Sequence, residues 1–429
     1  MSNLWGVDSP ELIEKVARLS YLRHLTQLEI ADQMKIDQPK VSRLLRAARE
    51  TGVVEFSIDK SFAVFGRPDE LLEGDLAAAF SLNSAFVQVF EPEETAAQRG
   101  KGDLDKYEAD DLRHVAIANY AGREAVKQIN ARDHIALAGG RAVYRTVQFI
   151  RRQHPPKPHI RVSPLGGRIW ARAWKVSGVR RIERPLDADD CAFVLAQAFE
   201  NQPGTSFSQI GHALYTENPR EAERIIREHC AFMPDGSWKG GTPERAICGI
   251  GVVDPRSGHR MSDICRDDRS PALSDVEANL ESAAVDIKRI IEFANNAGLP
   301  YPGDVANRLF PSLPLPNELP ADLDKVKADI SGLNDLIVQL NRRSVVMDWP
   351  HLRAIRHVWA VAGGAYKANA LWTLLLKGLI DKEGFLVSGL STDADNAQKL
   401  VDAGEAFWGL VPGKLRWYED MIGIIFGLG

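Results

Sequence analysis

The stretch from residue 26 to 49, TQLEIADQMKIDQPKVSRLLRAAR, constrains the fold of this chain more than any other. Thr26 followed by Glu29 reads as a capping box, which starts a short helix. That helix is expected to end near Met34, and Lys35, Ile36 and Asp37 to form a tight turn. Asp37 can accept hydrogen bonds from the first amides of the next helix. Pro39 fits its first turn, where an N–H would have no partner. In the second helix Val41, Leu44, Leu45 and Ala48 recur at i, i+3, i+4 and i+7, one buried stripe. Gln38, Lys40, Ser42, Arg43, Arg46 and Arg49 fall off that stripe. From 38 to 51, four basic residues stand against the single acid Glu50.

This pattern predicts a helix-turn-helix whose second helix enters the major groove of DNA. Arg43 and Arg46 are candidates for guanine edges or phosphates, Gln38 for adenine, and Ser42 for a phosphate or base. Thr26, Gln27, Pro39 and Lys40 complete the candidate DNA-binding set. The bland alternative is a helical hairpin with a solvated basic face.

A net charge of −5 over 429 residues argues against coating nucleic acid through bulk positive charge, but it leaves room for a local basic head. The length exceeds one typical domain, so two are expected. The four cysteines, Cys191, Cys230, Cys248 and Cys265, form no C-x-x-C pair. No metal site is expected from them; small buried side chains in a reducing compartment are. Acidic residues at 8, 11 and 14 stand where a signal peptide needs a basic and then an apolar run. The apolar segment 421–428 is too short to cross a bilayer and reads as a buried strand or helix. A cytoplasmic protein without membrane partners is the expectation.

In chain order, residues 10–23 read as a supporting helix, 53–58 as a strand and 60–68 as a linker. Helical patterns return at 70–80 and 112–130, with a strand at 85–90 between them. Short apolar runs then alternate with helical segments, several ending in glycine: 135–138 before Gly139 and Gly140, 160–165 before Gly166 and Gly167, then 192–196, 246–253, 358–362 and 385–387. This pattern suggests a parallel sheet covered by helices, with ligands at the carboxyl ends of its strands. Residues 305–310 read as a short helix and 323–340 as a longer one. No Walker motif or full dinucleotide fingerprint is present, and no cofactor is expected. The expected domains are a helix-turn-helix head at 1–58, a linker at 59–68, and an effector and oligomerisation domain at 69–429.

Both halves together resemble the SorC family of bacterial sugar-responsive transcription regulators. The head carries the likeness in LTQLEIADQMKIDQPKVSRLLRAARETGVVEFSI. The remainder carries it in DHIALAGGRAVYRTV, SPLGG, AICGIGVV, PGDVANRLF, VWAVAGGAYKANALWTLLLKGLI and STDADNAQKLVDAG. The resemblance implies a doubly wound, mostly parallel α/β effector domain like that of sugar-phosphate isomerases. It also implies a homotetramer built as a dimer of dimers, and a sugar, polyol or phosphorylated sugar that modulates operator binding. In the family the phosphate sits on an early glycine turn helped by a late lysine, which here are Gly139, Gly140, Arg141 and Lys367 behind Gly363 and Gly364. Ala142 stands where many members have a hydroxyl. Asp304 matches an acidic family position; as a residue it reads equally well as the N-cap of a helix at 305–310.

The physical reading of these residues agrees, because amides of a glycine turn at a helix start bind anions. The plainer reading is that the double glycines merely allow close packing. Gly167 and Arg168 could hold a second anionic group, and Trp170 and Trp174 could stack on a sugar or pack in the core. Loops at 91–107 and 256–274 are longer than in many relatives. A second function class is an active sugar-phosphate isomerase or deaminase fused to the head, with Asp304, Asp393 and Asp395 as the available acids.

Overall fold

The structure, a computed structural model, describes residues 10–21, 25–50, 66–82, 87–92, 106–153, 159–167, 173–176, 179–182, 187–199, 205–254, 276–381 and 386–427. The expected strand at 53–58, Arg168, Trp170, Cys265 and most of the two long loops lie outside these residues; Trp174 falls in a strand of which only the backbone is described. The chain divides into two compact units, Met1–Phe62 and Ala63–Gly429.

Among the described residues the first unit is three helices: α1 (Pro10–Tyr21), α2 (Gln27–Met34) and α3 (Gln38–Glu50). Thr26 caps α2 in both directions. Its hydroxyl accepts the Glu29 N–H at 3.3 Å, and its own N–H donates to Glu29 Oε2 at 2.7 Å. Lys35 takes a left-handed conformation (φ 54°) and closes the turn, its N–H donating to the Ala31 carbonyl. The core is Ile13, Val16 and Ala17 of α1, Ile30 and Ala31 of α2, and Val41, Leu44, Leu45 and Ala48 of α3. These last four are the stripe expected from the spacing.

The second unit is built on one sheet. Its strands are β1 (Gly66–Pro68), β2 (Val87–Pro92), β3 (His134–Leu137), β4 (Arg161–Pro164), β7 (Ser206–Phe207), β8 (Arg245–Val252), β11 (His357–Val361) and β12 (Gly389–Asp393), in the order β1-β2-β12-β11-β8-β3-β4-β7. All neighbours are parallel except β1 and β2. A hairpin of β9 (Gly303–Val305) and β10 (Arg308–Phe310) adds to β8 antiparallel, and β5 (Ala173–Val176) with β6 (Val179–Ile182) forms a separate ribbon.

The helices of this unit are α4 (Glu70–Ala79), α5 (Lys106–Gln128), α6 (Arg141–Arg152), α7 (Ala188–Ala198), α8 (Pro219–His229), α9 (Val276–Ala297), α10 (Leu323–Arg342), α11 (Trp349–Ala354), α12 (Ala368–Ile380), α13 (Ala394–Trp408) and α14 (Pro412–Phe426). From β3 the chain steps outward to β4 and β7, then returns across β3 to β8 and continues the other way to β11 and β12. Right-handed crossovers in opposite directions place α6 and α12 on opposite faces, the doubly wound arrangement. β3, with every side chain buried, and β8, with most of them buried, read as the apolar runs expected of strands covered on both faces.

Three expected elements differ. The run at 192–196 is the middle of α7, not a strand. Asp187 caps that helix by accepting the Asp190 N–H, and a five-residue apolar run fits either element until its cap is weighed. Residues 305–310 form a hairpin, not a helix. Ala306 (φ 53°) and Asn307 (φ 68°) both turn left-handed, and the register Ile250↔Val305 and Gly251↔Asp304 zips β9 onto β8. The expected strand at 385–387 lies two residues short of β12, which starts at Gly389. The C-terminal apolar stretch belongs to α14, whose Tyr418, Met421 and Ile422 are fully buried. Cys191, Cys230 and Cys248 are buried; burial pushes the thiols of Cys230 and Cys248 up to about 12.

Candidate functional sites

On α3, burying Val41, Leu44, Leu45 and Ala48 turns Gln38, Pro39, Arg43 and Arg46 outward, all exposed, with Lys40 and Ser42 half-exposed beside them. The carbonyl of Asp37 accepts the N–H groups of Lys40 and Val41, which begins the helix at Gln38. Thr26 and Gln27 are exposed at the start of α2. The arrangement is a rigid helix with arginines one turn apart on its free face, carried by a support helix fixed through its cap. Such a face can reach phosphates and base edges.

In the second unit the candidate residues gather at one edge. β3, β4, β8, β11 and β12 run parallel, so their carboxyl ends share that edge. Ala138 donates to the Ile247 carbonyl and leads into Gly139 and Gly140; β11 pairs with β8 as far as Val361↔Gly249 and leads into Gly363 and Gly364. The two glycine turns therefore flank β8, two strand spacings or about 10 Å apart. Asp304, opposite Gly251, stands on the same edge.

The glycines serve different ends. A side chain at Gly139 would come within 3.0 Å of the Ala188 amide nitrogen, so this turn packs against the start of α7. Gly140 has φ 121° and begins α6 with no capping side chain and no acid in the first turn. The first amides of α6 are thus presented as an anion site requires. A side chain at Gly167 would come within 2.9 Å of the carbonyl oxygens of His212 and Ala213, and its own N–H donates to the Val345 carbonyl, so this turn packs closely. Arg141 is exposed.

At the other turn a side chain on Gly363 would strike Ile117 Cδ1 at 2.4 Å, and Gly364 (φ 97°) sits against the Tyr366 ring. Lys367 closes the short 3₁₀ turn Ala365–Lys367; it is 7% exposed, with its ammonium 5.6 Å from the centre of the Tyr366 ring. Asp393, at the end of β12, accepts the Gly364 N–H with Oδ2 and the Asn396 N–H with Oδ1. Asp395 pairs with Arg113 at 2.9 Å. Asp304 is buried and accepts the Asn307 N–H inside its own hairpin, so its place is a strand and not the N-cap of a helix. Asp393 is thus engaged through both oxygens with backbone and Asp395 with a cation, while Asp304 uses one oxygen, Oδ1, on its own hairpin.

Three residues at this edge escaped the sequence reading. Tyr366 is 40% exposed between the glycine turn and Lys367. Thr392 and Asn396 are fully buried, and neither the Thr392 hydroxyl nor the Asn396 amide has a partner among the described residues. The signal was present in STDADN, where hydroxyl, carboxylate and amide follow a strand, but nothing in spacing alone directs them to the turn after β11. A shallow hollow of about 380 Å³, including its mouth, lies at the opposite edge, lined by Ile129, Arg245, His357, Trp359 and neighbours. Among the described residues no cluster of three or more His, Cys, Asp or Glu side chains suits a metal ion, and no helix is long and apolar enough to cross a membrane.

No protein-family model matches the chain. A stretch of 101 residues is 33% identical to the sorbitol operon regulator of Klebsiella pneumoniae, covering 23% of this chain and 31% of that protein, so the chain spans under a third of the length of this curated relative. Among solved structures, the full-length sorbitol operon regulator SorC from Klebsiella pneumoniae overlays 91% of this chain and 98% of its own at TM-score 0.45 and 17% identity. The putative sugar-binding domain of a transcriptional repressor from Vibrio fischeri overlays 78% and 99% at TM-score 0.48 and 16% identity. These overlays are loose, and the sheet order and three-helix head described above stand without them. The chain's likeness in sequence is to the SorC family of regulators, met first in its separate motifs and again in this curated relative.

Proposed function

We propose that the chain is a sequence-specific DNA-binding transcription regulator of a carbohydrate-metabolism operon. A sugar, polyol or phosphorylated sugar bound at the carboxyl edge of the sheet controls it. The observation that carries this reading is the free face of α3: Arg43 and Arg46 are exposed while the stripe behind them is fully packed. A structural helix of a globular unit has no need of that charge, whereas operator DNA does. The effector half of the reading rests on the amides at Gly140 and the cation of Lys367, with Gly139, Gly363 and Gly364 shaping the turns and Asp304 on the same edge. Arg141, Gly167 and Arg168 border it by sequence.

The chain works as a cytoplasmic homotetramer, a dimer of dimers, in which paired heads read the two halves of a palindrome. It is a binding protein and not an enzyme; the acids Asp304, Asp393 and Asp395 serve backbone and ion-pair roles. The effector acts by binding one arrangement of the assembly more tightly than the other, and the coupling equals that difference in affinity.

An anisotropy titration on the DNA upstream of its own gene, at two salt concentrations, tests the first half. Tight, salt-sensitive and sequence-selective binding is expected, and binding that is equal on scrambled DNA rejects the reading. A thermal-shift screen against sugars, polyols and sugar phosphates tests the second half, because a ligand of the folded state raises its melting temperature.

A further inference from the structure

The two glycine turns that flank β8 are not equivalent. At Gly140 the start of α6 carries no capping side chain. At Gly364 the corresponding N–H already holds a carboxylate, Oδ2 of Asp393, which is 1% exposed. The same carboxylate caps α13 through Asn396, so both of its oxygens are fixed to backbone. A phosphate seated at Gly364 would have to displace Asp393 and then remain beside it, like charge against like charge in a buried place. The turn also contains Lys367, so one cation and one carboxylate are already present there. Next to Asp393 in sequence, the Thr392 hydroxyl and the Asn396 side-chain amide are neutral polar groups, buried and without a partner among the described residues.

We infer that Asp393 is a specificity-determining residue that closes the Gly364 turn to a second phosphate, so that the effector carries one phosphate head at Gly140 and presents uncharged hydroxyls toward Asp393. This rests on the effector site proposed above. A carboxylate accepts hydrogen bonds only, so hydroxyl groups suit it and a second phosphate does not. The Gly364 N–H, held by Asp393, is closed to an anion by the chain's own side chain.

Matched pairs test this: fructose 6-phosphate against fructose 1,6-bisphosphate, and ribose 5-phosphate against ribulose 1,5-bisphosphate, with inorganic phosphate alone, titrated calorimetrically into the full chain. At least one monophosphate is expected to bind, and its bisphosphate partner to bind no more tightly, despite its extra charge. In Asp393→Ser the hydroxyl keeps a cap for the Asn396 N–H but leaves Gly364 open and removes the charge. There the bisphosphate should gain about tenfold over its monophosphate.

A wild-type preference for the bisphosphate of tenfold or more overturns the inference and leaves the effector site standing. No binding by any of these compounds removes the phosphate site at Gly140 and the inference with it. An unchanged ratio in a folded Asp393→Ser, checked by its melt without ligand, overturns the role of Asp393. If that variant does not fold, the wild-type comparison still decides.

Discussion

The outer face of α3 and the carboxyl edge of the sheet are built in opposite ways. On α3 the backbone is spent entirely on the helix and on its carbonyl start at Asp37, so whatever the face recognises is recognised by side chains. At the sheet edge the side chains are mostly absent or committed: glycines form the turns, and Asp304, Asp393 and Asp395 hold backbone or a cation. What that edge offers a ligand is main-chain amides and one buried lysine. The lesson is that a side-chain surface can be altered one residue at a time without moving its scaffold, whereas a backbone surface cannot be altered without straining it.

The sharpest way to break this contrast is the double change Arg43→Ala with Arg46→Ala. Each lost base or phosphate contact costs about 1–3 kcal/mol, so operator affinity should fall about a hundredfold or more. The slope of log affinity against log salt should flatten by about two phosphate equivalents. The thermal shift given by an effector should not change, and losing it would mean the α3 face is structural after all.

A second measurement uses the opposite edge of the same sheet. His134 is buried. Its Nδ1 accepts from Arg161 at 2.7 Å, so its Nε2 donates to the Ser163 hydroxyl, also at 2.7 Å. Burial first, and the Arg161 charge second, pull its pKa down to about 4. The unfolded chain therefore takes up this proton near pH 6.5 and the folded chain does not. The second unit is fully stable with respect to this group above pH 6.5 and loses stability as pH falls toward 4, by about 3 kcal/mol at most. Urea melts from pH 7.5 to 5 should record the early part of that loss, and His134→Gln should flatten it. A melt of the head should show no such slope from this group.

The smallest effect falls on the backbone surface. Gly364→Ala forces a left-handed backbone on a residue with a side chain, against the Tyr366 ring at 2.4 Å. A loss of about 1–3 kcal/mol is expected, together with weaker effector binding, while operator binding by folded protein stays unchanged. An Ala at this position that is tolerated in both stability and effector binding would argue that the turn is plain packing.

The head was almost wholly legible, because its information is local: cap, turn, stripe and opposite face fall within two dozen residues. The sheet was legible in part. Runs leading into glycine located β3, β4 and β11, and the apolar run at 246–253 located β8, since a strand buried on both faces leaves a continuous apolar signature. The run at 192–196 misled because apolarity without period fits helix and strand alike, and the deciding cap at Asp187 lies five residues upstream. Residues 305–310 misled because Ala306 gives no warning of a left-handed turn; the pairing of Asp304 with Gly251 more than fifty residues away imposes it. The candidate site was legible as an edge but not as an arrangement. That Asp393 holds Gly364 depends on β12 lying beside β11, a fact of sheet order that no local spacing contains.

The thiols of Cys230 and Cys248 offer an unlabelled clock. Burial raises both pKa values to about 12, so the thiols stay protonated and unreactive at neutral pH while the core is closed. Alkylation of either sulfur therefore requires the surrounding core to open. Its rate, read by mass spectrometry, counts those excursions directly, and a compound that grips the folded form should slow the count in proportion to its hold.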